Sequence, residues 1–222
     1  MYLTYHYEYS SKSDFKAAFL CLVEKSLHYS SVVRLVFLGN PNDNNDFLNH
    51  RNYIYYLLQN MYGLKIPAFS YVAQPVLGSA VWGLEVQVLE NCLGSLWKYS
   101  FYEGFSYVKI LQGEINFLFL SGIFSSDLFL SIRKQAIAVM EKMVFILEKE
   151  GFEISDIVRQ WNYIERITDF DSSMKQRYQE FNDVRSCFYG KAFNQNGYPA
   201  ATGIGTQCGG LQIELDAISK AS

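Results

Sequence analysis

Hydrophobic positions along the chain follow two periods, and the switches between them set the expected elements. In residues 1–9, Leu3, Tyr5, Tyr7 and Tyr9 share one face, as in a strand. Ser13 reads as the N-cap of a helix, DFKAAFLCLVEKSLHY, with Phe15, Ala18, Phe19 and Leu22 at helical spacing. Residues 32–38 (VVRLVFL) read as a buried strand that Gly39, Asn40, Pro41 and Asn42 end in a turn. NNDFLNHRNYIYYLLQNMYG reads as a second helix, capped by an Asn and closed by Gly63. Two strands follow, AFSYVAQP and VWGLEVQVLEN, joined by residues 76–80 around Gly78.

The second half repeats these textures. SYVKIL and INFLFLSGI read as strands, and Asp127 to Lys149 as the longest helix, with one apolar stripe and Gly151 at its end. Ser155 or Asp156 opens a strand, IVRQWNYI, and Asp171 to Cys187 is expected to be helical. YPAATGIG and LQIELDAI close the chain as two strands around Gly209 and Gly210. Glycines and aromatics at 94–104 place a boundary there, giving lobes of 1–104 and 105–222. QPVLGSAVWGLEVQVLE shares its texture with YPAATGIGTQCGGLQIELDA: a Pro-led strand, a Gly turn, then Gly-Leu and an alternating strand. The expected fold is α+β, a lobe with a mixed sheet backed by two helices, preceded by a partial, related N-terminal lobe.

Composition narrows the function. Half of the 222 residues are hydrophobic and only 18% are charged, so the chain can bury a substantial core. The net charge of −3, with Lys and Arg scattered, gives no electrostatic ground for a nucleic-acid partner. Cys21, Cys92, Cys187 and Cys208 form no C-x-x-C pair, and His6, His28 and His50 lie away from them, so no metal site is expected. No basic, apolar leader opens the chain and no apolar run approaches a membrane span. Free thiols without a leader fit a reducing cytoplasm.

Chemistry concentrates between Asp156 and Ala217, and a family resemblance lies there as well. Ser121-Gly122, Gln135, the DIV at 156–158, YQEF at 178–181, PAAT at 199–202 and IELDA at 213–217 follow in order. This series resembles the RidA (YjgF) fold. RQWNYI, RYQEFNDVR and YPAATGIG together resemble its chorismatase branch, and AQPVLGS and LEVQVL fit that branch's amino-terminal part. The resemblance implies an enzyme that removes the enolpyruvyl group of chorismate as pyruvate, without metal or organic cofactor. It implies a small-molecule carboxylate as partner, and the trimers of RidA proteins make a homo-oligomer possible. In the deaminating RidA proteins an Arg follows the Pro-Ala; here that position is Ala201, which cannot grip a carboxylate bidentately. The chorismatase branch continues past the last strand with another RidA-like lobe, so this chain is expected to lack the C-terminal lobe.

A chorismate site needs fixed arginines, hydroxyl donors, an apolar wall and one acid. Arg159, inside an otherwise apolar strand, is either a carboxylate clamp or an edge residue paired with Glu165 or Asp183. Tyr178 and Arg185, seven apart on the expected helix, could line a pocket with Tyr163, or lie in the core and at the surface. Thr202 and Gly203 open a Gly-rich turn that could offer backbone N–H groups. Glu214 aligns with a glutamate of the deaminases' last strand and is the candidate acid, with Glu85 as its counterpart in the first lobe. Both also fit the polar side of alternating strands. The alternative to a hydrolase is a non-catalytic small-molecule-binding or assembly protein on the same scaffold.

Overall fold

A computed structural model describes residues 1–76, 81–171, 174–190, 192, 193 and 197–221, so most of the expected turn around Gly78 lies outside the described residues. The first unit runs β1 (Tyr2–Ser10), α1 (Phe15–Ser26), β2 (Val32–Leu38), α2 (Asn44–Tyr62), β3 (Ala68–Val72) and β4 (Trp82–Glu90). A hairpin, β5 (Leu96–Tyr102) and β6 (Phe105–Gln112), follows. The second unit runs β7 (Ile115–Phe124), α3 (Ile132–Lys149), β8 (Ile157–Glu165), α4 (Arg177–Tyr189), β9 (Ala200–Thr206) and β10 (Leu211–Lys220).

The two units share one topology. The first sheet has strand order β1-β4-β2-β3, and the second contains β7-β10-β8-β9 in the same pattern. In each, the middle and edge strands after the helices pair in parallel and the remaining pairs are antiparallel. The Pro-led and Gly-Leu similarity in the sequence therefore reflects a repeated β-α-β-α-β-β unit. The first unit has all six of these elements. The hairpin β5–β6 extends the second sheet, and β5 lies on the N-terminal side of the 104/105 boundary.

Local chemistry explains the helix ends. The Asp14 carboxylate accepts from Ala17 N at 2.8 Å, so it caps α1 where Ser13 was expected. Asp43 accepts from Asn45 N and Asp46 N, so an Asp, not an Asn, caps α2. A carboxylate combines the capping bond with attraction to the positive helix end. The third helix starts five residues later than expected, because Asp127 turns back to accept from Phe129 N at 2.9 Å. The fourth starts at Arg177 rather than Asp171, after a bridge between Phe170 and Gln176. Among the described residues no helix is long and apolar enough to cross a membrane.

Side-chain alternation divides the molecule into four layers. Leu35, Phe37, Phe69, Tyr71, Leu84 and Val86 pack under α1 and α2. Leu211, Ile213, Leu215 and Ala217 pack under α3 and α4. The opposite faces of the two sheets meet each other through Val33, Ala68, Leu89, Val108, Ile110 and Phe119. The central strands β2, β4 and β10 are thus buried along most of both sides.

The sheets approach each other closely at Gly122. A Cβ there would stand 2.5 Å from the backbone oxygen of Phe69, and its φ is +63°. Only glycine meets both demands. Gly122→Ala is expected to cost at least about 2 kcal/mol, from left-handed backbone strain plus the separation of two packed sheets. Chemical denaturation measures it; an unchanged urea midpoint contradicts this account of the contact.

Candidate functional site

Where the two inner faces diverge they leave a groove. It is a cavity of about 450 Å³, within the range of small-molecule sites. Tyr5 and Tyr7 come from β1, Glu85 and Gln87 from β4, Arg159, Trp161 and Tyr163 from β8, and Glu214 from β10. These are the alternate positions of strands whose other side chains enter the helix-covered cores.

Alternation along β10 aims Glu214 into this groove, since Ile213 and Leu215 enter the helix-covered core, and the β7–β10 pairing is irregular beside it. Ile213 pairs with Ile123 and Leu215 with Leu120, so Ser121 and Gly122 together oppose Glu214 alone. The Glu214 side chain is 1% exposed, and the Ser70 hydroxyl from β3 donates to its Oε1. Burial pushes its carboxyl up to about 7, helped by Glu85 and Asp216, while Arg34 and the Ser70 hydrogen bond pull the other way. A carboxyl with that affinity holds a proton through much of the neutral range and can give it up.

Arg34 stands beside Glu214, outside the lining of the groove. It lies in the middle of β2 and is fully buried. Its Nε donates to Ser121 Oγ at 2.5 Å and its Nη1 to Gln87 Oε1 at 3.0 Å. Its Nη2 donates to Asp216 Oδ1 at 2.7 Å, to Leu215 O at 2.8 Å and to Leu120 O at 3.0 Å. The Glu214 carboxylate stands 3.8 Å from Nε. Burial opposes the Arg34 charge, but Asp216 and Glu214 outweigh it and raise the guanidinium's affinity for its proton. One side chain thus ties β2 to β7 and β10 and supplies counter-charge to both acids of the last strand. The sequence reading passed over Arg34 inside VVRLVFL. Its signal was present: a charge in the centre of an apolar strand needs buried partners.

The expected site residues separate into two groups. Arg159, Tyr163 and Glu214 come together in the groove. The Arg159 guanidinium lies over the Trp161 ring at 4.3 Å rather than beside Glu165 or Asp183. Burial first, and then the Glu214 charge, raises the Tyr163 hydroxyl well above its ordinary value. Thr202 pairs with Trp161 and Gly203 with Asn162, so the 202–205 segment is part of an edge strand and not a turn. The Thr202 carbonyl accepts from Asn162 Nδ2 at 3.1 Å. Tyr178 sits on the helix side of β9, where a Cβ on Gly203 would come within 2.8 Å of its ring. Arg185 lies over Phe181 and Tyr189 on α4. The fold does not bring Tyr178 or Arg185 to the groove. Counting along the two Gly-Leu pairs sets Gln87, rather than Glu85, opposite Glu214 in the repeat.

Other chemistry is poorly placed for reaction. Burial pushes the Cys208 thiol up to about 12, so it is no nucleophile at neutral pH. Among the described residues no group of three His, Cys, Asp or Glu side chains could hold a metal ion.

Comparison with known proteins gives three findings. Residues 111–217 match the family model described as chorismatase FkbO/Hyg5-like, N-terminal. A solved chorismatase is similar in fold, with a TM-score of 0.54 and 14% identity over 98% of this chain and 54% of that one. The present chain therefore spans about half of that protein's length. A YjgF-family protein from Mycobacterium tuberculosis aligns with 57% of this chain and 100% of its own, at 20% identity and a TM-score of 0.41. No curated protein matches the chain.

Proposed function

We propose that this chain, whose residues 111–217 carry an FkbO/Hyg5-like chorismatase N-terminal domain, is a hydrolase that releases the enolpyruvyl group of chorismate or a close relative as pyruvate. The observation that carries the reading is Glu214: a buried carboxyl with proton affinity near neutrality, at the floor of a groove of substrate size. Arg159 anchors a substrate carboxylate, the Tyr163 hydroxyl donates to a substrate oxygen, and Trp161 and Ile204 form the apolar wall. Glu214 protonates the methylene carbon of the enol ether. Water then adds to the adjacent, electron-poor carbon, and the hemiketal collapses to pyruvate and a ring alcohol. The proton lost by the water restores the Glu214 carboxyl.

The test is pyruvate release from chorismate by the purified chain, followed with lactate dehydrogenase. Release above a protein-free control supports the hydrolase. Arg159→Ala is expected to raise KM by roughly 10- to 100-fold, the loss of one charge-assisted contact. A KM that stays put removes Arg159 from the carboxylate anchor.

A second reading rests on a different observation. Arg159 is the one guanidinium or ammonium side chain lining the groove among the described residues, whereas a dicarboxylate presents two anionic groups. That favours a non-catalytic protein that binds a monocarboxylate in the same place. Calorimetric binding of a monocarboxylate such as benzoate, with no pyruvate formed from chorismate, selects it.

A further inference from the structure

A second cavity lies beyond Arg159, between the same two sheets. It is about 310 Å³, and Leu3, Leu89, Phe117, Phe119 and Val158 make most of its wall. Two charged side chains reach it, Arg159 and Asp216. Asp216 is already matched by Arg34 Nη2 at 2.7 Å. Arg159 forms no ion pair among the described residues. Its contact is the Trp161 ring, whose centroid lies 4.3 Å from the guanidinium carbon, and among the described residues its nitrogens donate to no protein acceptor. An apolar chamber with one unmatched cation at its edge selects an apolar body carrying a single anionic head.

We propose that this cavity binds a small aryl- or alkyl-carboxylate, its hydrocarbon part between β1 and β8 and its carboxylate on Arg159. The apolar wall supplies affinity and the guanidinium supplies orientation. Arg159 lines the polar groove as well, so one guanidinium serves both chambers. A carboxylate held in the apolar chamber draws that group away from the groove containing Glu214, and the two ligands compete. The inference shares Arg159 with the function proposed above but needs no turnover, because direct binding reads it.

The experiment titrates the purified full chain with 3-phenylpropanoate and with hexanoate by calorimetry. The acids are compared with 3-phenylpropanamide, which has the same shape and no charge. Saturable one-to-one binding of at least one acid is expected, weakened tenfold or more in the amide and in Arg159→Gln. Val158→Trp fills the cavity from a half-exposed position and is expected to abolish binding; Ile218→Trp, also half-exposed, is the second filling variant, used if Val158→Trp loses its native circular dichroism. Three results overturn the proposal: no heat of binding for either acid at millimolar concentration, equal affinity for the amide, or undiminished binding in the filled variants. Loss of binding as sedimentation shows the chain pairing with itself also overturns it, because a second copy is then the occupant. Failure of these titrations leaves the pyruvate assay unaffected, and the reverse holds too.

Discussion

Glu214→Gln is expected to lower the rate of pyruvate release by roughly 10²- to 10⁴-fold while changing substrate affinity little. The substitution keeps the shape of the side chain and its contact with the Ser70 hydroxyl, but an amide has no proton to give. In the parent protein the rate should fall as pH rises through about 7, because the protonated carboxyl is the active form and its affinity lies there. Stability supplies an independent reading of the same group. The folded-state value near 7 lies above the ordinary carboxylate value of 4.5, so between those two pH values the native state binds more protons than the unfolded chain. Its contribution is complete below about 4.5 and is lost as pH rises through about 7, at up to about 1.4 kcal/mol per pH unit. Glu214→Gln removes that dependence. The variant is therefore expected to gain stability relative to the parent from pH 5 to pH 8 while being nearly inactive. Urea denaturation across this range measures the first effect and the coupled assay the second. Full activity in Glu214→Gln excludes this carboxyl as the acid.

Arg34→Met should produce a larger loss of stability than any single change among the residues that line the groove, about 3–5 kcal/mol, the scale for removing one partner of a buried ion pair. The cause is specific. Without the guanidinium, Asp216 and Glu214 lose their counter-charge, and Ser121 Oγ, Leu120 O and Leu215 O lose a donor. Ser121 and Glu214 are each 1% exposed and Asp216 is 9% exposed. Removing Arg34 also removes the main influence holding the Glu214 carboxyl down, so any remaining activity should persist to higher pH. Arg34→Lys keeps the charge but not the fork of five donors, and should fall between parent and Met. The double variant Arg34→Met, Asp216→Leu should be less destabilised than the sum of the single changes, since neither charge is then left alone. Additive losses in urea denaturation would falsify the coupling of this pair.

Much of the fold was legible from periodicity. The apolar run VVRLVFL, the helical stripe within Asp127–Lys149 and the Gly-Leu strands correspond to real elements because their patterns arise from burial on both faces of a strand, on one helix stripe or on one sheet face. The β5 strand was not legible: its burial pattern is mostly partial, and its glycine- and aromatic-rich surroundings looked like a boundary. Within the site, Arg159 and Glu214 were visible as residues out of keeping with their neighbours. Tyr178 and Arg185 were grouped with them because helical spacing shows which residues share a face, but not which layer that face meets.

Apart from β5, the sequence by itself determined the order of strands and helices, the shared texture of two Pro-led and Gly-Leu segments, and the alternation of polar and apolar side chains along β4 and β10. Only the tertiary structure decided what the polar half of that alternation means. In one sheet facing water, Glu85, Gln87, Glu214 and Asp216 would be solvated side chains. Here two such faces meet, so the same positions are enclosed between sheets, where a charge must find a partner or hold its proton. Arg34 reaches from the first unit to the acids of the second, across more than 180 residues of chain. No local pattern encodes that contact; packing two copies of one unit face to face creates it.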